Sequence, residues 1–361
     1  MQKNFGLDIV RSVAIFLVLI AHLSPFFKNN PIIFNLLYHS GLYGVEIFFV
    51  LSGFLIGQTI LVKIASSFSF KQIKTFYLRR FLRIIPLYYF ILISLIFVDN
   101  YVLKSRSFHL YHFVFLQNFF PNETAFFAVS WTLSIQFWFY IVIPIIFLIL
   151  NYKKYSTTKL MKTFIYIIFT IILFRSVYVY VLNPTFDFGV RKNILMRFDS
   201  LLIGVLFAIL KQKFNFFYKK ITNKYFSVIA LASLIIFYAF YLYFMMTFGI
   251  GFFDKSIFFR VFSWPIISLM LIILISYLEE NRFINEVLKN KKLIYIFFTK
   301  LSAFSFSMFL VHYEIYSYFE NNSKYTNIAL SIMVSTTIIV ALSFLLYNFV
   351  EKPILFKKNQ I

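Results

Sequence analysis

Leu7-Asp-Ile-Val-Arg11-Ser-Val-Ala-Ile-Phe-Leu-Val-Leu-Ile-Ala-His22 decides how the rest of the chain is read. From Val13 to Ala21 every residue is apolar, so a helix there is apolar on all sides. Such a helix belongs in a protein core or a bilayer rather than on a soluble surface. Continued to residue 27, the run approaches the ~20 residues that cross a hydrocarbon core. It nevertheless carries Asp8, Arg11 and His22. Ionisable groups in a membrane helix are expensive and are functional candidates by default. Arg11 and His22 are eleven positions apart, which at ~100° per residue is three turns plus ~20°, so both share one face about 16 Å apart along the axis. Asp8, one turn before Arg11, is placed to neutralise it.

The pattern repeats along all 361 residues. The chain is 61% hydrophobic, 23% aromatic and 13% charged, against about half apolar and about a quarter charged in soluble domains. A soluble enzyme of this length has no interior large enough for that apolar surface, which excludes soluble α/β folds and predicts an all-α polytopic membrane protein. Ten apolar runs lie near residues 7–27, 43–62, 84–99, 129–150, 163–182, 194–210, 226–248, 261–278, 301–319 and 328–350. The segment 107–120 has an interfacial or re-entrant character. No loop exceeds about thirty residues, so residues 1–361 are expected to form one integral-membrane domain with no separate soluble domain.

The net charge is +22, and its placement argues for topology rather than nucleic acid as partner. With the N-terminus cytoplasmic, 24 Lys and Arg fall in the loops of that side and eight in the opposite loops, leaving Arg11, Arg175 and Arg197 within spans. This bias predicts an even number of spans with both termini cytoplasmic. Cys is absent, which excludes disulfides, thiolate metal sites and cysteine nucleophiles. His109 and His112 are i,i+3 neighbours without a third ligand nearby, so no metal site is expected. His39 reads as a loop residue and Arg175 as a lone charge near a span end.

Several further polar positions stand out. Gly44-Val-Glu46-Ile-Phe-Phe-Val-Leu-Ser52-Gly53-Phe-Leu-Ile56 opens the second span with a carboxylate, Glu46, suited to orient or charge-balance His22. Its mid-span Ser52 and Gly53 let helices approach closely or leave room for a ligand. Arg79, Arg80 and Arg83 obey the positive-inside bias, and Arg80 and Arg83 are also spaced to clamp phosphate from one helix face. Trp131 and Gln136 open span four, Arg197 and Asp199 lie in span six, and His312 in span nine; all five are candidate cavity residues.

Taken in order, these motifs resemble the acyltransferase-3 family of bacterial integral-membrane acyltransferases. Arg11 and His22 match its Arg-x10-His motif, Gly44–Ile56 its second-span signature, and Arg80-Phe-Leu-Arg83 followed by Pro86 its Arg-x-x-Arg loop. Arg197-Phe-Asp199…Gly204, Ser305…His312 and Val350-Glu351-Lys352-Pro353 match later elements, so the likeness covers nearly the whole chain. Two positions depart. Glu46 stands where Asp is commoner. Ser134-Ile-Gln136-Phe137 replaces a Ser-Val-Glu-Glu-like run, and Gln keeps hydrogen bonding but cannot transfer a proton.

The resemblance implies ten membrane helices in the bacterial cytoplasmic (inner) membrane. It also implies transfer of an acyl group, most often acetyl, from acetyl-CoA to a hydroxyl of a glycan or lipid-linked oligosaccharide, without metal. On that reading Arg11, Arg80 and Arg83 hold the CoA phosphates, His22 is general base for the acceptor hydroxyl and Glu46 orients it. Ser52, Trp131, Gln136, Arg197, Asp199 and His312 line the substrate cavity. Direct transfer and an acyl-histidine intermediate both remain open. A glycan transporter or flippase would share the spans and buried charges, although no internal repeat is visible. Gln136 also admits an inactive, acyltransferase-like subunit of a glycan-assembly complex. Membrane lipid is the surrounding partner, and the sequence is silent on oligomeric state.

Overall fold

The computed structural model describes residues 4–63, 70–99, 108–119, 126–152, 156–322 and 327–355. Among them are no strands. The helices are α1 (Phe5–Ala21), α2 (Pro31–Lys63), α3 (Phe70–Val98), α4 (Ser130–Tyr152), α5 (Thr157–Leu182), α6 (Phe198–Lys213), the short α7 (Asn215–Ile221), α8 (Lys224–Phe248), the short α9 (Ile250–Lys255), α10 (Ile257–Glu280), α11 (Lys292–Asn322) and α12 (Ile328–Leu346). The ten long helices coincide with the ten apolar runs. Eight of them are long and apolar enough to cross a bilayer by length and composition. The other two, α1 with 17 residues and α6 with 16, are shorter than the ~20 residues of a full span. This is a multi-pass membrane protein.

Several helices begin where the sequence supplies a cap. Asn4, Ser156, Asn223, Ser256 and Asn327 each accept a backbone N–H from the first turn of the following helix, satisfying a donor that has no intrahelical partner. Other boundaries extend past the apolar runs. α2 starts at Pro31, twelve residues ahead of its apolar run, so His39 is helical and buried against Tyr241 rather than in a loop. α3 starts at Phe70, so Arg79, Arg80 and Arg83 stand on a helix that continues through Pro86 into the third span. The basic stretch 71–83 hid the extension of α3, because hydropathy marks the bilayer and not the end of the helix, whereas residues 31–42 of α2 are themselves largely apolar.

Burial divides the bundle into a centre and a rim. In its most apolar window α2 is 78% buried against protein, whereas α5 is 11% and α8 17% buried. The central packing of α2 on α6 depends on glycine. A Cβ on Gly53 would collide with the Leu201 carbonyl, and one on Gly204 with the Val50 carbonyl. Small residues that let backbones meet are the usual basis of helix association in lipid.

The segment before α4 is not a spanning helix. Short 3-10 turns at Leu110–Val114 and Gln117–Phe119 lie against the bundle, with His112, Phe115 and Gln117 fully buried. Phe115 has a left-handed backbone, φ 57°. Its carbonyl accepts from Ser134 Oγ at 2.5 Å and Trp138 Nε1 at 3.0 Å. Irregular backbone is tolerated at membrane depth only when protein satisfies it in this way. Residues 107 and 120 of the predicted segment lie outside the described residues, as do Lys3, Lys104, Arg106, Lys153, Lys154, Lys324, Lys357 and Lys358.

Candidate active site

Five helices line a partly open cavity whose free volume is about 80 Å³, well below the roughly 300–1,000 Å³ of small-molecule sites. α1 contributes Arg11; α2 contributes Val45, Phe48, Phe49, Leu51, Ser52 and Leu55; α3 contributes Arg80 and Arg83. α4 adds Thr132, Gln136 and Tyr140, and α11 adds Ser305, Phe306 and Phe309. Three guanidinium groups from two helices thus line one cavity, and Ser52 and Gln136 join them. Arg80 donates to Thr59 Oγ1 at 3.3 Å and lies over the rings of Phe76 and Tyr140. Tyr140 OH donates to Gln136 Oε1 at 3.5 Å. Asp8 neutralises Arg11, with 3.3 Å between carboxylate and guanidinium, and accepts from Ser302 at 2.9 Å. Arg11 also lines a second, wider depression of mixed charge, in which Asp8, Glu279, Glu280 and Glu286 stand beside Arg282 and Lys289. Arg83 borders a smaller pocket shared with Glu351, which accepts a hydrogen bond from Ser307.

His22 is not on the wall of this cavity. It caps α1, its N–H reaching the Val18 carbonyl at 3.2 Å. Its ring turns toward α11, 4.8 Å from His312 and 5.2 Å from Tyr313 between centroids. The link to the arginines runs through aromatic rings. Phe309 lies on the cavity wall beside Phe48, with centroids 6.1 Å apart, and its ring centroid is 5.7 Å from that of His312, one turn further along α11.

Glu46 and His22 are not brought together. Both Glu46 oxygens are taken: Arg197 donates to one, and Ser268 Oγ to the other at 2.5 Å. Arg197 lies over the Trp264 ring, 4.2 Å from its centroid. Beside it Asp199 pairs with Arg175 at 2.7 Å, and Arg175 also donates to the Met196 carbonyl at 2.7 Å. All four charged side chains are at most 1% exposed. Arg197 and Asp199 therefore sit in the packing of α2, α5, α6 and α10 rather than on the cavity wall. Arg175 is not a lone charge at a span end, because Asp199 neutralises it in the interior. Trp131 is likewise off the wall, edge-on to Phe49 and covered by Arg191 at 4.9 Å.

Arg191 belongs to a polar turn between α5 and α6, at the end of the bundle where α1 terminates. There Asp187 pairs with Arg191 and, at 2.8 Å, with Lys192. Burial alone would push the Asp187 carboxyl up, but the two cations outweigh it and hold it at about 2.

The wall residues Phe48, Thr132, Tyr140 and Phe309 did not stand out in the sequence. Tyr140 had one usable signal, its i+4 spacing from Gln136 on a helix. Phe48 and Phe309 are two among 54 Phe and had none.

The acyltransferase-3 family model, an acyltransferase domain, matches residues 4–348. The chain belongs to the acyltransferase-3 family. A Staphylococcus aureus (strain COL) protein, whose name gives O-acetyltransferase as a provisional activity, is 25% identical over 99% of this chain and 58% of its own length. An uncharacterized Haemophilus influenzae protein is 34% identical over 46% of this chain and 74% of its own. The peptidoglycan O-acetyltransferase OatA of Listeria monocytogenes is 29% identical over 43% of this chain and 26% of its own. The chain thus spans little more than half of the Staphylococcus relative. No solved structure matches it.

Proposed function

We propose that this acyltransferase moves an acetyl group from cytoplasmic acetyl-CoA to a hydroxyl of a cell-envelope glycan, with His22 as general base. The observation that carries the reading is the convergence of Arg11, Arg80 and Arg83 on one cavity that Phe309 also lines, with His312 5.7 Å from Phe309 and 4.8 Å from His22 between ring centroids. Guanidinium forks suit phosphate oxygens, so the CoA phosphates take the arginine end. The pantetheine arm then points along α1 toward His22, and the two ends of the donor match the two ends of that helix. A displacement of Phe309 opens the route. The name of the Listeria relative supports a glycan hydroxyl as acceptor.

In the chemical step His22 takes the proton of the acceptor hydroxyl, whose oxygen bonds to the thioester carbonyl. As the C–S bond breaks, the proton passes from the imidazolium to the departing thiolate. Glu46, occupied by Arg197 and Ser268, acts in this reading as the counter-ion that holds α2 and α6 in place. Placing the arginine end in the cytoplasm agrees with the charge bias of the loops.

The test is acetyl-CoA binding and turnover by the protein in nanodiscs, with glycan O-acetylation measured in cells. His22→Ala should abolish transfer and leave donor binding within about twofold. Arg83→Ala removes a charge-assisted contact worth roughly 1.5–3 kcal/mol, so donor affinity should fall by about 10- to 100-fold. Glycan movement without acyl transfer would favour a flippase instead.

A further inference from the structure

A histidine base needs a third group to fix its ring, usually a carboxylate, and the carboxylate expected for that task is occupied elsewhere. What faces His22 from α11 is His312, fully buried. Its Nδ1 lies 3.0 Å from the Met308 carbonyl. A carbonyl only accepts, so the proton resides on Nδ1 and Nε2 of the neutral ring carries a bare lone pair. That Nε2 is buried without a partner. A buried acceptor left without a donor is destabilising and calls for an explanation. The two rings are tilted by 60° at 4.8 Å, close enough for rotation of the His22 ring to aim an N–H at His312 Nε2.

We propose that His312 is the positioning residue of His22: Nε2 of His312 accepts the N–H of His22 and so presents the other His22 nitrogen, unprotonated, to the acceptor hydroxyl. The inference rests on His22 as the base. The proton taken from the acceptor gives an imidazolium whose second N–H is still held by His312. When the C–S bond breaks, that proton leaves for the thiolate and the pair returns to its starting state. The other polar groups near His22 are Tyr313 on α11 and the cations Arg191 and Lys192 of the turn before α6. All are neutral or positive, so none offers His22 a carboxylate in place of His312.

The experiment uses the full chain in a deletion strain complemented with each variant. The readout is base-labile acetate released from the cell envelope. Melting temperature and acetyl-CoA affinity are measured on each purified protein. H312F should lower acetate about 100-fold or more, in line with the roughly 10²–10⁴-fold contribution of general acid–base catalysis. Its donor affinity should stay within twofold. H312Q, which restores an acceptor oxygen, should recover at least tenfold over H312F. If H312F does not accumulate, H312Q against H312M makes the same comparison. Wild-type acetate from H312F, or H312Q no better than a folded H312F or H312M, overturns the positioning role. H22A with wild-type acetate overturns the base reading itself, whereas a dead H22A beside a fully active H312F overturns only the present inference.

Discussion

Glu46 shows how one residue can carry two different readings. As a carboxylate at the start of an apolar run it looks available for catalysis. In the fold both of its oxygens are spent on Arg197 and Ser268, away from solvent. Removing one partner of a buried pair leaves an uncompensated charge, at about 3–5 kcal/mol, whereas removing both is far milder. Glu46→Ala and Arg197→Ala should therefore each destabilise by about that amount. The double variant should cost much less than their sum, as read by thermal unfolding in detergent as a double-mutant cycle. Additive losses would show that the pair does not act as a unit. Arg11 behaves differently: Asp8 takes part of its charge, but it still borders the cavity.

At the scale of elements, α2 organises the site. One of its faces presents Val45, Phe48, Ser52 and Leu55 to the cavity, while Gly53 turns toward α6. The two roles predicted for the Ser52–Gly53 pair are thus divided between neighbours: Ser52 borders the open space and Gly53 permits the close approach. Gly53→Leu should force α6 away from α2. Overpacking costs ~1–3 kcal/mol in a core that can yield and more against backbone, so this variant should melt well below the parent or fail to accumulate. Ser52→Ala keeps the helix contact and should leave the melting temperature within a degree or two. If the two variants melt alike, the division is wrong.

Across the whole molecule, charge separates the two ends of the bundle. The basic loops flank the arginine cavity, and the Asp187–Arg191–Lys192 turn lies at the end that holds His22. Because the chain has no Cys, single-cysteine variants report sidedness without background. Asn290→Cys and Lys255→Cys, both at exposed positions, should react with a membrane-impermeant maleimide from opposite sides. Lys255→Cys should be labelled in intact spheroplasts, and Asn290→Cys only in inverted vesicles. Labelling of both from one side would refute the proposed topology.

The all-helical membrane class, the ten long helices and the family motifs were legible in the residues themselves. Hydrocarbon imposes a length and a composition on any helix that crosses it, and local sequence records both. So was the grouping of Arg80 with Arg83, which needs only helical periodicity. Partnership between distant helices was not legible. That Glu46 meets Arg197 and Ser268, that Asp199 meets Arg175, and that His22 meets His312 depends on which faces pack. In a bilayer that choice is made by steric fit and by the need to satisfy buried polar groups, and neither leaves a periodic trace in the chain.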